Sequence, residues 1–235
     1  MVHYPAIDDR GQALFPQRYS IEILEDIRSA IGSYDFNSLY QGRPIARGGQ
    51  YMKREWFKII EREPEGLRWV RPIDLAVSTK KTADFSASLR MARQGRDLFI
   101  AAPWFARLDW PTCKRKIIAV SEMEGSSVPL YVEAVAGFST AYSELKESLA
   151  GRAVVYKVDV HRDKLSRCLG FISAAEAGHV HIVNGPYVDE LLYQLEAFPA
   201  AGVHDEGPDL CSMGHAALSR QAGGYACPAF LKAMQ

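Results

Sequence analysis

Three acidic segments, far apart in the sequence, hold the residues best suited to chemistry. Asp74 stands in Trp69-Val-Arg-Pro-Ile-Asp-Leu-Ala-Val77 and Glu133 in Pro129-Leu-Tyr-Val-Glu-Ala-Val135. Asp205, Glu206 and Asp209 follow His204 in a single short run. The first two acids interrupt apolar, β-branched runs that predict buried strands. An ionised carboxylate on such a strand is costly unless it is paired or holds a cation. Brought together, the three segments offer four or five hard oxygen donors, a set suited to Mg2+ or Mn2+. Two such ions among carboxylates are the apparatus of phosphodiester hydrolysis, one activating the attacking water and the other stabilising the leaving 3′ oxygen.

Each segment also has a plainer reading. Asp74 could close a bulge or pair with Arg71 or Arg90. Asp205, Glu206 and Asp209 could be ordinary acids at a helix N-terminus. Glu206 and Asp209, three apart, share one helical face. Asp209 is therefore taken as the third ligand, and Asp205 and Glu206 compete for the fourth place. Asp84 lies ten residues beyond Asp74, across a turn that it either closes or brings to the metals. His204, just before the acids, could touch substrate or metal. Lys80, Lys81, Lys164 and Arg167 are candidates for phosphate contacts or for a solvated basic surface. His179 and His181 alternate on one face of a short strand and read as surface residues.

The elements that must position these residues change character along the chain. Residues 1–50 read as an N-terminal helical extension. Ser20 can cap an amphipathic helix running to Ile31, Gly32 stops it, and a second short helix carries Phe36, Leu39 and Tyr40. Strands are predicted over 68–78, 84–94 and 97–107, joined by short polar turns as an antiparallel meander. A helix from Asp109 to about Met123 follows, then strand 129–135, helix 139–149, strand 153–160, helix 163–177, strand 179–184 and helix 187–197. The last helix spans about 206–221, with Pro208 in its first turn, where proline is tolerated. Three strands followed by alternating helices and strands predict an α/β fold, a mixed sheet with helices on its faces. Residues 51–222 would form that domain and 223–235 a loose tail.

Composition narrows the class. The 235 residues are 48% hydrophobic, enough to form a core. Lys and Arg number 28, as do Asp and Glu, so the net charge is zero. That argues against a purely electrostatic nucleic-acid binder but leaves room for local patches. No run of about 18 apolar residues predicts a membrane span. Cys113, Cys168, Cys211 and Cys227 are widely spaced and form no CxxC pair. Neither a zinc site nor a disulfide framework is suggested, and a reducing cytoplasm is the expected compartment.

The local wording resembles a known family. Ala13-Leu-Phe-Pro-Gln-Arg-Tyr-Ser20 with Leu39-Tyr-Gln-Gly-Arg-Pro44, Asp74-Leu-Ala with Thr82-Ala-Asp-Phe-Ser86, Asp163-Lys-Leu-Ser-Arg167, and Phe198-Pro with His204-Asp-Glu-Gly-Pro-Asp209 occur in an order similar to the C-terminal nuclease domain of the phage terminase large subunit. The resemblance spans about residues 10–220. It departs at Pro208, at Leu210, and at Ala134 after the strand acid. It implies an RNase H-like fold and a two-metal endonuclease that cuts double-stranded DNA during viral or prophage genome packaging in the host cytoplasm. Asp74 would bridge two Mg2+ or Mn2+ ions, Glu133 would hold one, and Asp209 with Asp205 or Glu206 the other. Other terminase subunits and the portal are the further partners it implies. The sequence has no G-x-x-x-x-G-K-[ST] segment, so no ATP is expected to bind. Two rival readings are a stand-alone resolvase or transposase-type nuclease and a non-catalytic DNA-packaging module from a decayed prophage.

Overall fold

The computed structural model describes residues 4–8, 10–42, 51–75, 85–133, 139–159, 163–200 and 204–221. Seven strands among these form one mixed sheet: β1 (Phe57–Ile60), β2 (Trp69–Asp74), β3 (Ser86–Gln94), β4 (Asp97–Ala106), β5 (Leu130–Glu133), β6 (Val155–Val158) and β7 (Val180–Val183). Their spatial order is β1-β7-β4-β3-β2-β5-β6. The meander of β2, β3 and β4 is antiparallel, as the short turns predict. β5 is added parallel to β2, and β6 parallel to β5. On the other side β7 runs parallel to β4 and β1 parallel to β7.

Six α-helices stand among the described residues: α1 (Ile21–Leu39), α2 (Trp110–Glu124), α3 (Ser139–Ser148), α4 (Lys164–Glu176), α5 (Val188–Ala197) and α6 (Glu206–Gln221). Side chains of successive strand residues point to opposite faces, and the core divides accordingly. Val70, Leu89, Met91, Leu98, Ile100 and Ile182 pack with α4, α5 and α6. Ile73, Leu130, Val132 and Val155 pack with α2 and α3 on the opposite face. Helices therefore cover both faces, the arrangement predicted from the strand and helix order.

α1 breaks at Gly32, whose φ of 81° is open to glycine at little cost, and Ser20 caps its start by accepting from the Ile23 amide. The break lies where the sequence predicts a stop. α1 packs on α4 and carries a small cluster of Ile7, Leu24 and Phe36. β1 is absent from the sequence reading. It has only four residues, Phe-Lys-Ile-Ile, and its place is set by parallel pairing with β7 more than a hundred residues later. Asp84, Lys80, Lys81 and residues 223–235 lie outside the described residues, as does part of residues 1–50.

Candidate active site

Asp74 and Glu133 close neighbouring strands. Ile73 is in register with Val132, so the next residue on each strand, Asp74 and Glu133, leaves the sheet side by side. Asp74 has the parity of Val70, which places its side chain on the face covered by α4 and α6. Arg71 has the other parity. Its guanidinium is buried on the α2 face, where Nε donates to Glu124 Oε2 at 2.6 Å and Nη1 to Ser88 Oγ at 3.0 Å. Arg90 also goes to Glu124, at 3.3 Å. Both arginines named as possible partners of Asp74 thus go to Glu124 instead.

The other acids come from the first turn of α6. Its approach to the sheet is close because Gly214 has no side chain: a Cβ there would lie 2.9 Å from Met91 Sδ and 3.4 Å from Pro72 Cγ. The start of the helix is pinned by α5. The Gly207 amide, one of those with no intrahelical partner, donates to Gln194 Oε1 at 2.8 Å. Pro208 falls in the same turn and costs no hydrogen bond. Glu206 and Asp209, both buried, thus face the sheet, while Asp205 is half-buried. Glu206 Oε1 accepts from the Phe85 amide at 3.3 Å and meets His204 Nδ1 at 3.3 Å, tying α6 to the start of β3.

The first turn of α4 supplies two cations. Asp163 caps it by accepting from the Ser166 amide at 3.0 Å. Lys164 and Arg167, three apart, then share a face. Lys164 Nζ lies 2.7 Å from Asp205 Oδ2 and 2.9 Å from Asp209 Oδ2. Arg167 reaches Asp209 Oδ1 at 3.1 Å and Glu133 Oε2 at 3.4 Å. The sequence suggests phosphate contacts for both; here both are turned onto the acids. His179 and His181 gather on Asp97 Oδ1, at 2.9 and 3.4 Å, rather than standing as free surface groups.

Charge at this site is poorly balanced. Burial pushes the Asp74 carboxyl up to about 7, and the neighbouring Glu133, Asp209 and Glu206 add to the rise. Glu133 is also raised, by burial, against the opposing pull of Arg167. Lys164 is raised: burial disfavours its ammonium, but the hydrogen bonds to Asp205 and Asp209 outweigh that.

No protein-family model matches the chain, and no curated protein sequence does. Solved structures match it in fold. The large terminase nuclease from thermophilic phage G20c with bound magnesium aligns at a TM-score of 0.53 and 13% identity, over 72% of this chain and 97% of that one. A large terminase from another thermophilic bacteriophage aligns at 0.63 and 9% identity, over 82% of this chain and 50% of that longer one. The human cytomegalovirus terminase nuclease domain, soaked in Mn and inhibitor-bound, aligns at 0.50 and 15% identity over 72% and 94%. This is the terminase nuclease fold. It is RNase H-like, a mixed sheet between helices, as the resemblance implied.

Within the terminase nuclease fold, the residues of this chain can be tested against a divalent cation. As they stand, no three His, Cys, Asp or Glu side chains among the described residues converge tightly enough to hold one. Lys164 and Arg167 lie among the acids. The donor set itself fits. Among the described residues, Asp74, Glu133, Asp205, Glu206 and Asp209 face two basic side chains, Lys164 and Arg167, so negative charge is in surplus. Glu206 Oε2 is buried with no hydrogen-bond partner among the described residues. All donors are hard carboxylate oxygens, the type Mg2+ and Mn2+ take.

Two residues near the site escaped the sequence reading. Gln194 holds the start of α6, yet in sequence it is only a polar residue in an amphipathic helix. Arg107 stacks over the Phe85 ring, 4.6 Å from its centroid, and Phe85 in turn meets the His204 ring at 4.5 Å. Only the position of Phe85 beside the Thr82-Ala-Asp motif hinted at that cluster.

Proposed function

We propose that this chain is a metal-dependent endonuclease that cuts double-stranded DNA during viral or prophage genome packaging. The observation that carries the reading is the placing of Asp74 and Glu133, at adjoining strand ends, and of Glu206 and Asp209, in the first turn of α6, on one face of the sheet within electrostatic reach of one another. The fold shared with terminase nucleases, one of them magnesium-bound, supports it. Residues 51–222 would be the nuclease unit, and other terminase subunits and the portal its partners.

Asp74, Glu133 and Asp209, with Asp205 or Glu206, would hold two Mg2+ or Mn2+ ions. Bound cations of this kind supply Lewis acidity, a nucleophilic water at neutral pH and charge stabilisation for the leaving oxygen. The chain's own part is to hold five carboxylates on rigid elements and to keep the site half-buried. The parallel register fixes Asp74 against Glu133, and the Gln194 anchor fixes α6. No side chain needs to donate a proton. Phosphate contacts from basic side chains carry no base information, so cleavage should tolerate many sequences.

The test is plasmid cleavage in Mn2+ by the native chain and by Asp74→Asn. Asparagine keeps the shape of the side chain and removes its charge. Loss of cleavage with an unchanged circular dichroism spectrum is expected. Cleavage by the variant at more than a few per cent of the native rate would overturn the assignment, and so would an inert native chain.

A further inference from the structure

Lys164 and Arg167 divide the acid cluster between them. Lys164 takes Asp205 and one oxygen of Asp209, and Arg167 takes the other oxygen of Asp209 and Glu133. Both come from one capped helical turn, so they act from one anchor. Asp209, the most enclosed of the paired acids, has both carboxylate oxygens occupied by these two cations. Asp74 pairs with no cation among the described residues, and Glu206 Oε2 has no partner among them. The cations therefore sit on the side of the cluster where α6 and β5 meet α4, and the surplus negative charge lies on the other.

Resting on the nuclease reading above, we infer that Lys164 and Arg167 are built-in stand-ins for divalent cations: they neutralise Asp209, Asp205 and Glu133 in the metal-free chain, and metal taken up by those carboxylates competes with them for the same negative charge. An ammonium at 2.9 Å from Asp209 Oδ2 already neutralises that carboxylate and holds one of its lone pairs, and a divalent ion entering at about 2.1 Å from the same oxygen repels the ammonium. Metal uptake thus competes with two internal ion pairs. Half of the Lys164 side chain is exposed, so its release into water is cheap, whereas Arg167, only 18% exposed, is held more firmly. The freed side chains stay tethered beside the metals by α4 and become available for an anionic ligand such as a phosphate backbone. By linkage, an anion that draws Lys164 and Arg167 away must tighten metal binding by the same factor as metal tightens the anion.

The test is Mn2+ affinity of the DNA-free full chain, measured by electron paramagnetic resonance of free Mn2+, for the native protein, Lys164→Met, Arg167→Met and the charge-keeping Lys164→Arg. Removing a competitor should tighten Mn2+ binding, by about fivefold for Lys164→Met, the scale of a partly exposed ion pair, and by at least as much for the more enclosed Arg167→Met. Lys164→Arg should stay near native. The melting temperature without metal serves as the check on folding: it should drop in the Met variants and be restored by Mn2+. Unchanged or weaker Mn2+ binding in folded Met variants would overturn the stand-in role while leaving a metal-dependent nuclease intact. Failure of every protein, native included, to bind Mn2+ would overturn both.

Discussion

Arg71 and Glu124 form a buried, two-pronged ion pair on the face of the sheet opposite Asp74. Arg71 sits on the strand that carries the central acid, Glu124 at the end of α2, and Arg71 also donates to Ser88, whose hydroxyl donates to the Pro72 carbonyl at 2.8 Å. Glu124→Gln would leave the Arg71 charge uncompensated in the core. Breaking a buried pair from one side costs about 3–5 kcal/mol. We expect a large fall in melting temperature for Glu124→Gln and substantial recovery in the double variant Arg71→Leu/Glu124→Leu. A Glu124→Gln chain that melts like native would show that the pair contributes nothing.

The pH dependence of the metal-free chain should be unusual in sign. Asp74 has a folded pKa of about 7 against an ordinary 3.8. Between those values the folded state holds a proton that the unfolded state has lost, so stability falls as pH rises through this window and levels off above it. Asp74→Asn removes that contribution. Glu133, also raised, leaves a smaller slope of the same sign. Thermal melts in EDTA from pH 4 to pH 8 would read both slopes, and equal slopes for the two proteins would refute the assignment.

Metal should reverse this cost. A cation that binds only the folded chain stabilises it by about 2.7 kcal/mol at a hundred times its dissociation constant, or roughly 5–10 °C for a chain of this length. Asp74→Asn should melt above native without metal and gain less from Mn2+. Calorimetry across a Mn2+ series distinguishes this from a general divalent-ion effect, which would move both proteins equally.

Duplex binding without metal should be weak, since the net charge is zero and Lys164 and Arg167 are held by acids. In the presence of Ca2+, used as a probe expected to slow cleavage, affinity should rise and its salt dependence steepen by about two units on a log–log plot, roughly one per released cation. Fluorescence anisotropy with a short duplex would measure it. A strong preference for four-way junctions would instead favour a resolvase.

Much of this was legible because it is periodic. The strands around Asp74 and Glu133 declare themselves by apolar, β-branched runs, and α6 by its spacing and its tolerated proline. The sequence could not show the pairing. Arg71 and Arg90 were both plausible partners for Asp74 until strand parity turned Arg71 to the other face, where Glu124 awaited it. β1 carries too few residues to signal itself, and its partner β7 is remote. Lys164 and Arg167 were recognisable as a basic pair, but an ion pair depends on the meeting of α4 with α6, which no local pattern encodes.

The order of the acids along the chain has a kinetic consequence. Asp74 and Glu133 reach their places once β2 and β5 pair. Glu206 and Asp209 arrive only when α6, the last described helix, packs against the sheet at Gly214 and against Gln194 of α5. During synthesis, therefore, a ribosome-bound chain that has not yet released residue 209 holds an incomplete acid set. Whatever chemistry this cluster performs is withheld from the nascent protein until α6 has emerged and packed.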